Sequence, residues 1–343
     1  IVNIIIITCV SVMVYSMLGG IQAVRWTDAI QGIILITGAV VCIVLLMFGM
    51  PEGPSQLIEI AAENNKFSLG SFDLNLTSST FWVVLIYGFF INLQNYGIDQ
   101  NYIQRYMTAS SDSQAKKTAF FGGLLYIPVS LLFLFIGTAL FAYYKANPGL
   151  LPESYTGDRV FPFYIINQLP AGVTGLLIAS IFAAGMSTVS TSVNSSATII
   201  LKDFFKRNSE ASGADRKSMR ILYFASFIFG VLSITTAILM INVQSALEAW
   251  WKLASIFSGG MLGLFLLGYF SKQAKRPSAI IGVATGLIII AWMSVSPLMI
   301  DLGLSERYVS PFHNYLSIVF GTLAIFLVGF IFSNLVFRKK NSK

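Results

Sequence analysis

Nine apolar runs, each long enough to cross a bilayer, dominate this chain: residues 2–18, 27–49, 79–99, 118–144, 171–201, 219–241, 246–270, 277–295 and 315–337. A hydrocarbon core of about 30 Å is spanned by about 20 helical residues. Within lipid every backbone N–H and C=O must find its partner inside the protein, which for single apolar runs means the α-helix. The sequence therefore predicts an all-α membrane fold. Composition agrees, with 55% hydrophobic and 11% charged residues and a mean hydropathy of +0.74. No soluble domain or low-complexity linker interrupts the runs, so residues 1–343 read as a single transmembrane domain. The chain opens with Ile1 inside an apolar run and carries no basic leader, so it reads as a piece cut within a larger membrane domain rather than as a signal peptide.

Charge orients the bundle. With the C-terminus assigned to the cytoplasm, alternate loops hold Arg25; Arg105, Lys116 and Lys117; Lys202, Lys206, Arg207, Arg216, Lys217 and Arg220; Lys272, Lys275 and Arg276; and Arg338, Lys339, Lys340 and Lys343. The opposite loops hold only Lys66, Lys145, Arg159 and Arg307. This asymmetry predicts a multi-pass protein of the cell (plasma or inner) membrane with its C-terminus cytoplasmic. It also accounts for the net charge of +7 without a nucleic-acid partner; the lipid bilayer is the partner it implies. Cys9 and Cys42 both fall in apolar runs, so no disulfide framework or metal-ligand spacing is visible. Loops 50–78 and 145–170 are long enough for short surface helices, with Phe161–Leu169 a candidate, and 202–218 reads as a basic solvated loop.

Polar residues inside the runs are the functional signal, because burying them in lipid is costly. In the run 171–201, Ala184, Ser187, Thr188 and Thr191 follow i, i+3, i+4, i+7 spacing and share one helix face. Ser187, Ser190 and Thr191 form a second, overlapping patch. Ser187 lies roughly 20 Å from Lys202 along the helix, near mid-bilayer. Small hydroxyls are ordinary packing residues between membrane helices; two patches of hard oxygen donors also suit a cation such as Na⁺. Both readings stand on the stripe alone. The intramembrane charges are Asp28, Asp99, Glu248 and Lys252. Glu248 and Lys252 stand one turn apart as a self-satisfying pair, and Asp99 with Arg105 reads as a boundary group. Asp28 opens the second run, either as a helix N-cap or as an ion ligand. His313 stands alone at a span entrance and reads as structural.

Three segments carry a resemblance. Gly19-Gly20-Ile21-Gln22-Ala23-Val24-Arg25-Trp26-Thr27-Asp28-Ala29-Ile30-Gln31 resembles the glycine-pair and Trp-Thr-Asp-x-x-Gln junction of the sodium/solute symporter family. Gly97-x-x-Gln100-x-x-x-Gln104-Arg105 is similar to that family's Gly-x-x-Gln-x-x-x-Gln-Arg signature, and Ala184–Ser195 resembles its ion-site helix. The match covers essentially the whole chain. It implies a leucine-transporter-type inverted-repeat fold of about thirteen helices, the first four lying outside this sequence. It also implies Na⁺-driven symport of a small organic solute, with Na⁺ as coupling ion and no other cofactor. By position, Ala184 (through its carbonyl), Ser187 and Thr188 correspond to the common sodium site, and Asp28, Ser187, Ser190 and Thr191 to a second one. Asn92, Asn95, Tyr96, Tyr126 and Trp251 fall at solute-contacting positions of the galactose branch. Asn95 stands where that branch has its gating tyrosine, Tyr126 where it has a lysine, and Trp251 where it has a glutamine. That departure speaks against galactose. The loop Asn147–Pro152 is similar to the sialic acid branch and the Ser-Thr-Val-Ser-Thr-Ser run to the iodide, monocarboxylate and multivitamin branch, so an organic anion or acidic sugar is favoured.

Three rivals are distinguishable. A transporter-like sensor would carry a fused signalling domain; the sequence ends at Lys343 after a short basic tail, which speaks against one unless the C-terminus is also truncated. An enzyme is not expected, because no intramembrane His/Glu, Cys/His or paired-carboxylate set is present. A proton-coupled transporter would use Asp28 as its carrier and would respond to pH but not to Na⁺.

Overall fold

The computed structural model describes residues 1–205, 216–243, 245–271, 274–297, 299 and 305–336. Every regular element among them is helical: α1 Val2–Phe48, α2 Pro54–Glu63, α3 Phe81–Ile98, α4 Gln100–Met107, α5 Asp112–Ala146, α6 Val160–Asn167, α7 Ala171–Ile199, α8 Arg216–Leu239, α9 Ala246–Phe270, α10 Arg276–Val295 and α11 Ser317–Ile331. Among the described residues 8 helical segments are long and apolar enough to cross a membrane, and Val2–Leu18 is a shorter apolar helix. All nine expected runs are therefore helical. The short helix expected at Phe161–Leu169 forms at Val160–Asn167.

Two expectations are corrected. The break expected between residues 18 and 27 is absent: α1 is one continuous helix of 47 residues, about 70 Å long. No proline lies between Ile1 and Met50. The pair Gly19-Gly20 costs only about 1 kcal/mol per glycine relative to alanine, too little to break a helix that is apolar on both sides. α1 ends where proline forces it to, with Gly49 donating its N–H to Leu45 O just before Pro51. The solvated loop expected over 202–218 is helical at both ends, and its residues 206–215 lie outside the described ones. α7 continues as a π-helical turn through Phe205, and α8 begins at Arg216. The side chains of Glu248, Trp251 and Lys252 lie outside the described ones.

Local sequence sets the other ends. Gly53, at φ 90°, reverses the chain before Pro54 opens α2. Ser111 caps α5 by accepting from Gln114 N, and Asp112 and Lys145 sit at the ends of α5 that suit its dipole. Asp99 separates α3 from α4 with extended backbone (ψ 128°), and its Oδ1 accepts from Asn101 N at 2.8 Å. This is a capping role at the boundary. His313 is likewise structural: Nδ1 accepts from Tyr315 N at 3.3 Å and caps the turn Asn314–Leu316.

The described helices form two compact units. In the first, residues 1–67 and 106–244, α1 packs along α7, α8 and α5. Its core gathers Cys42, Leu46, Leu57, Ala139, Tyr164 and Leu177 among others, and Cys9 and Cys42 are both free thiols. Burial pushes the Tyr164 phenol well above its usual range, with Cys42 and its tyrosine neighbours adding to the shift. Gly38 allows the close approach of α1 to α7. A Cβ there would stand 3.0 Å from Ser180 Cβ and still nearer Ser180 Oγ. That hydroxyl donates across the interface to Ile34 O at 3.1 Å. Gly38→Leu is expected to overpack this contact by about 1–3 kcal/mol, read as a lower unfolding temperature in detergent. Adding Ser180→Gly should return part of the loss; a single variant as stable as the parent would contradict the packing.

The second unit, residues 68–105 and 245–343, contains α3, α9, α10 and α11. Val83 and Tyr87 pack with Met293, Leu316 and Ile318, and Tyr87 stacks on Tyr315 at 5.0 Å. Glycines 263, 282 and 286 bring helix backbones together, and Thr322 Oγ1 donates to Gly259 O at 3.2 Å.

Candidate cation site

The hydroxyl stripe lies on α7 where that helix runs against α1. Thr191 Oγ1 donates to Asp28 Oδ2 at 3.1 Å, joining residues 163 positions apart. Asp28 lies well inside the continuous α1, so the N-cap reading fails for lack of a helix start. What remains is an intramembrane carboxylate facing hydroxyls. Ser190 is fully buried and Thr191 is 8% exposed. Ser190 Oγ donates to Ser187 O at 3.0 Å, while the Ser187 hydroxyl itself has no hydrogen-bond partner among the described residues. Asp28, Ser187, Ser190 and Thr191 thus combine one negative charge with three hydroxyl oxygens.

The second grouping is more open. Thr188 is exposed, and its hydroxyl donates to Ala184 O at 3.0 Å, on its own helix. Ala184, Ser187 and Thr188 share a face, as the spacing predicts, but no described contact joins Thr188 to a second helix. Ser187 is the only residue common to both groups.

Two neighbours were not singled out by sequence reasoning. Tyr15 OH donates to Met186 O at 3.4 Å, pinning α1 to α7 one residue before the stripe. Gln31 Oε1 is buried with no hydrogen-bond partner, one turn from Asp28 on α1. Its i+3 spacing from Asp28 was the available signal. The chemistry of this set is that of hard oxygen donors around a carboxylate, suited to a small hard cation. A carboxylate in a low-dielectric bundle is stabilised by such an ion far more than it would be in water.

The candidate solute residues divide between the two units. Asn92, Asn95 and Tyr96 lie on one face of α3. Asn92 Nδ2 donates to Gly88 O at 2.8 Å, and the residue lines a groove of about 730 Å³ with Phe81, Val84, Leu85, Gly88 and Phe89. The Tyr96 ring lies 4.9 Å from that of Tyr102. Tyr126 is on α5 of the first unit, 58% exposed. Trp251 is on α9, with its side chain outside the described ones.

Comparison with known proteins gives a coherent picture. The model of the sodium:solute symporter family matches residues 2–286. A sodium/sialic acid symporter of Aliivibrio fischeri is 32% identical over 96% of this chain and 63% of its own length. One from Proteus mirabilis is 31% identical over 93% of this chain and 62% of its own length. The human sodium/iodide cotransporter is 30% identical over 82% of this chain and 44% of its own length. A solved substrate-bound, outward-open Na⁺-coupled sialic acid symporter, whose structure revealed a novel Na⁺ site, superposes with a TM-score of 0.84 at 31% identity. That match covers 97% of this chain and 66% of the other, and it bears out the expected leucine-transporter-type fold. The chain spans less than two thirds of the length of these curated relatives.

Proposed function

Because this chain belongs to the sodium:solute symporter family, we propose that it forms the core of a secondary transporter that couples inward Na⁺ movement to uptake of a small organic solute by alternating access. The observation that carries this reading is the Thr191–Asp28 hydrogen bond, which brings the one carboxylate of the α1–α7 interface onto the hydroxyl stripe. One Na⁺ is held by Asp28, Ser187, Ser190 and Thr191, with Gln31 Oε1 a further oxygen beside it. A second Na⁺ is held on the more open face by the Ala184 carbonyl, Ser187 and Thr188.

Coupling follows from linkage. A cation shared between helices stabilises the arrangement that binds solute, and the solute raises cation affinity by the same factor. Each Na⁺ gains about 2.3 kcal/mol per 100 mV of inward-negative potential. The sialic acid relatives support an organic anion or acidic sugar as solute, with Asn92, Asn95 and Tyr96 on α3 as its proposed contacts. The basic-residue asymmetry supports a cytoplasmic C-terminus in the cell membrane.

The test is uptake into proteoliposomes under an inward Na⁺ gradient set against an equal K⁺ gradient, with labelled sialic acid, pyruvate, galactose and myo-inositol. Na⁺-dependent accumulation of sialic acid or pyruvate is expected. Accumulation driven by a pH gradient and indifferent to Na⁺ would replace Na⁺ coupling with proton coupling at Asp28.

A further inference from the structure

The loop that leads into α3 folds back on the first turn of that helix. α3 has 18 residues, about 27 Å of helix against a hydrocarbon core of about 30 Å, so Phe81 stands at a hydrocarbon boundary. Three contacts hold the loop at the same level. Phe81 N donates to Ser71 O at 2.9 Å, Trp82 Nε1 donates to Phe72 O at 3.0 Å, and the Phe72 and Phe81 rings lie 4.7 Å apart. The far end is tied by His313 N, which donates to Leu76 O at 2.8 Å. Leu74, held between these ties, is 86% exposed, and Leu69 and Phe72 are exposed as well.

We propose that residues 69–76 form a membrane-interface anchor, with Leu69, Phe72 and Leu74 seated in the headgroup–acyl boundary of the leaflet that α3 enters at Phe81. An exposed apolar patch of this kind marks a contact surface, and its position selects the bilayer as the occupant. The patch is continuous with the surface of a spanning helix: Leu69 lines one groove with Phe81, Val84 and Leu85, and Val84 and Leu85 are themselves exposed. Phe72, Phe81 and Trp82 place an aromatic cluster at the boundary, where amphipathic rings are favoured. The polar groups of the loop are already occupied. Ser71 Oγ donates to Asp73 Oδ2 at 2.5 Å, Asp73 N donates to Ser71 Oγ at 3.1 Å, and Thr77 N and Oγ1 both donate to Asn75 Oδ1. The loop therefore gives up few hydrogen bonds to water when it settles among headgroups. Asp73 is the one charged residue of 67–80, so apolar burial rather than attraction to anionic lipid drives the contact. The anchor is independent of Na⁺ coupling and of which way the chain is oriented.

Fluorescence quenching in phosphatidylcholine proteoliposomes tests the anchor. Leu74→Cys is labelled with an environment-sensitive dye; Cys9 and Cys42 are buried thiols, and the parent protein is the labelling blank. Lipid carrying a nitroxide at acyl carbon 5 should quench the dye about threefold more than lipid carrying it at carbon 12, as expected for a segment at the headgroup–acyl boundary. Acrylamide in the water should quench it little, and adding phosphatidylglycerol should leave the pattern unchanged. Leu69→Ser with Phe72→Ser, both at exposed positions, should lower the carbon-5 quenching about threefold by lifting the loop from the interface. Strong acrylamide quenching without lipid quenching would place the loop in water. Shielding from acrylamide and from both lipids would place it under protein. Either result would overturn the proposal, as would quenching confined to vesicles that contain phosphatidylglycerol. Quenching unchanged by the double substitution would assign the contact to the dye and overturn it equally.

Discussion

Replacing Asp28 by Asn is expected to lower the apparent Na⁺ affinity of uptake by about thirtyfold and, on the proposed two-site reading, to remove one Na⁺ from the transport cycle. The magnitude follows from the charge. A carboxylate about 4 Å from a monovalent cation contributes roughly 4 kcal/mol at an effective dielectric of 20. An amide oxygen of the same shape recovers part of this, leaving a loss of about 2 kcal/mol. The consequence for coupling is sharper than the affinity change. On the proposed two-site reading, two Na⁺ entering with one univalent anion would move a net positive charge, so the parent cycle should carry current. One Na⁺ with the same anion moves none. Asp28→Asn should therefore turn voltage-driven uptake into electroneutral uptake, seen as loss of the dependence on a K⁺ diffusion potential and a Hill coefficient falling from about two towards one. An unchanged current per solute would show that Asp28 holds no transported ion.

Ser187→Ala is the second large expected effect, because Ser187 alone belongs to both proposed groups of ligands. Losing its hydroxyl should raise the half-saturating Na⁺ concentration at both sites, by about tenfold each if the oxygen is worth about 1.4 kcal/mol to the ion. Ser190→Ala should affect only the site that contains Asp28. Ser190 is fully buried and its hydroxyl already serves Ser187 O, so its loss also loosens the carbonyl beneath the shared ligand. Fitting the Na⁺ dependence of uptake to two sites separates the variants. Unchanged Na⁺ dependence in Ser187→Ala would return the stripe to helix packing.

Much of this was legible in the sequence, for physical reasons. The hydroxyl stripe follows from 3.6-residue periodicity and needed no partner to be recognised. The nine helical runs follow from the bilayer's demand for internal hydrogen bonds. Where one helix meets another is not a property of any single run. The approach of α1 to α7 uses Gly38 to admit Ser180 and Tyr15 to reach Met186 O, and that packing brings Asp28 to Thr191. The N-cap reading of Asp28 failed because the apolar runs 2–18 and 27–49 read as separate helices, whereas the segment between them, with a glycine pair and no proline, is too weak a break to end the helix. Gln31 was visible as part of a motif, but its buried and unpartnered oxygen depends on the neighbouring helix.

The most direct test of the central assignment is equilibrium binding of radioactive Na⁺ to the purified protein without solute, comparing the parent with Asp28→Asn and Thr191→Val. Two Na⁺ bound per parent chain and one per Asp28→Asn chain, with Thr191→Val weakened at that same site, is the result the α1–α7 cluster predicts. Equal stoichiometry and affinity in all three proteins would place the ions elsewhere and leave the Thr191–Asp28 bond as a packing contact.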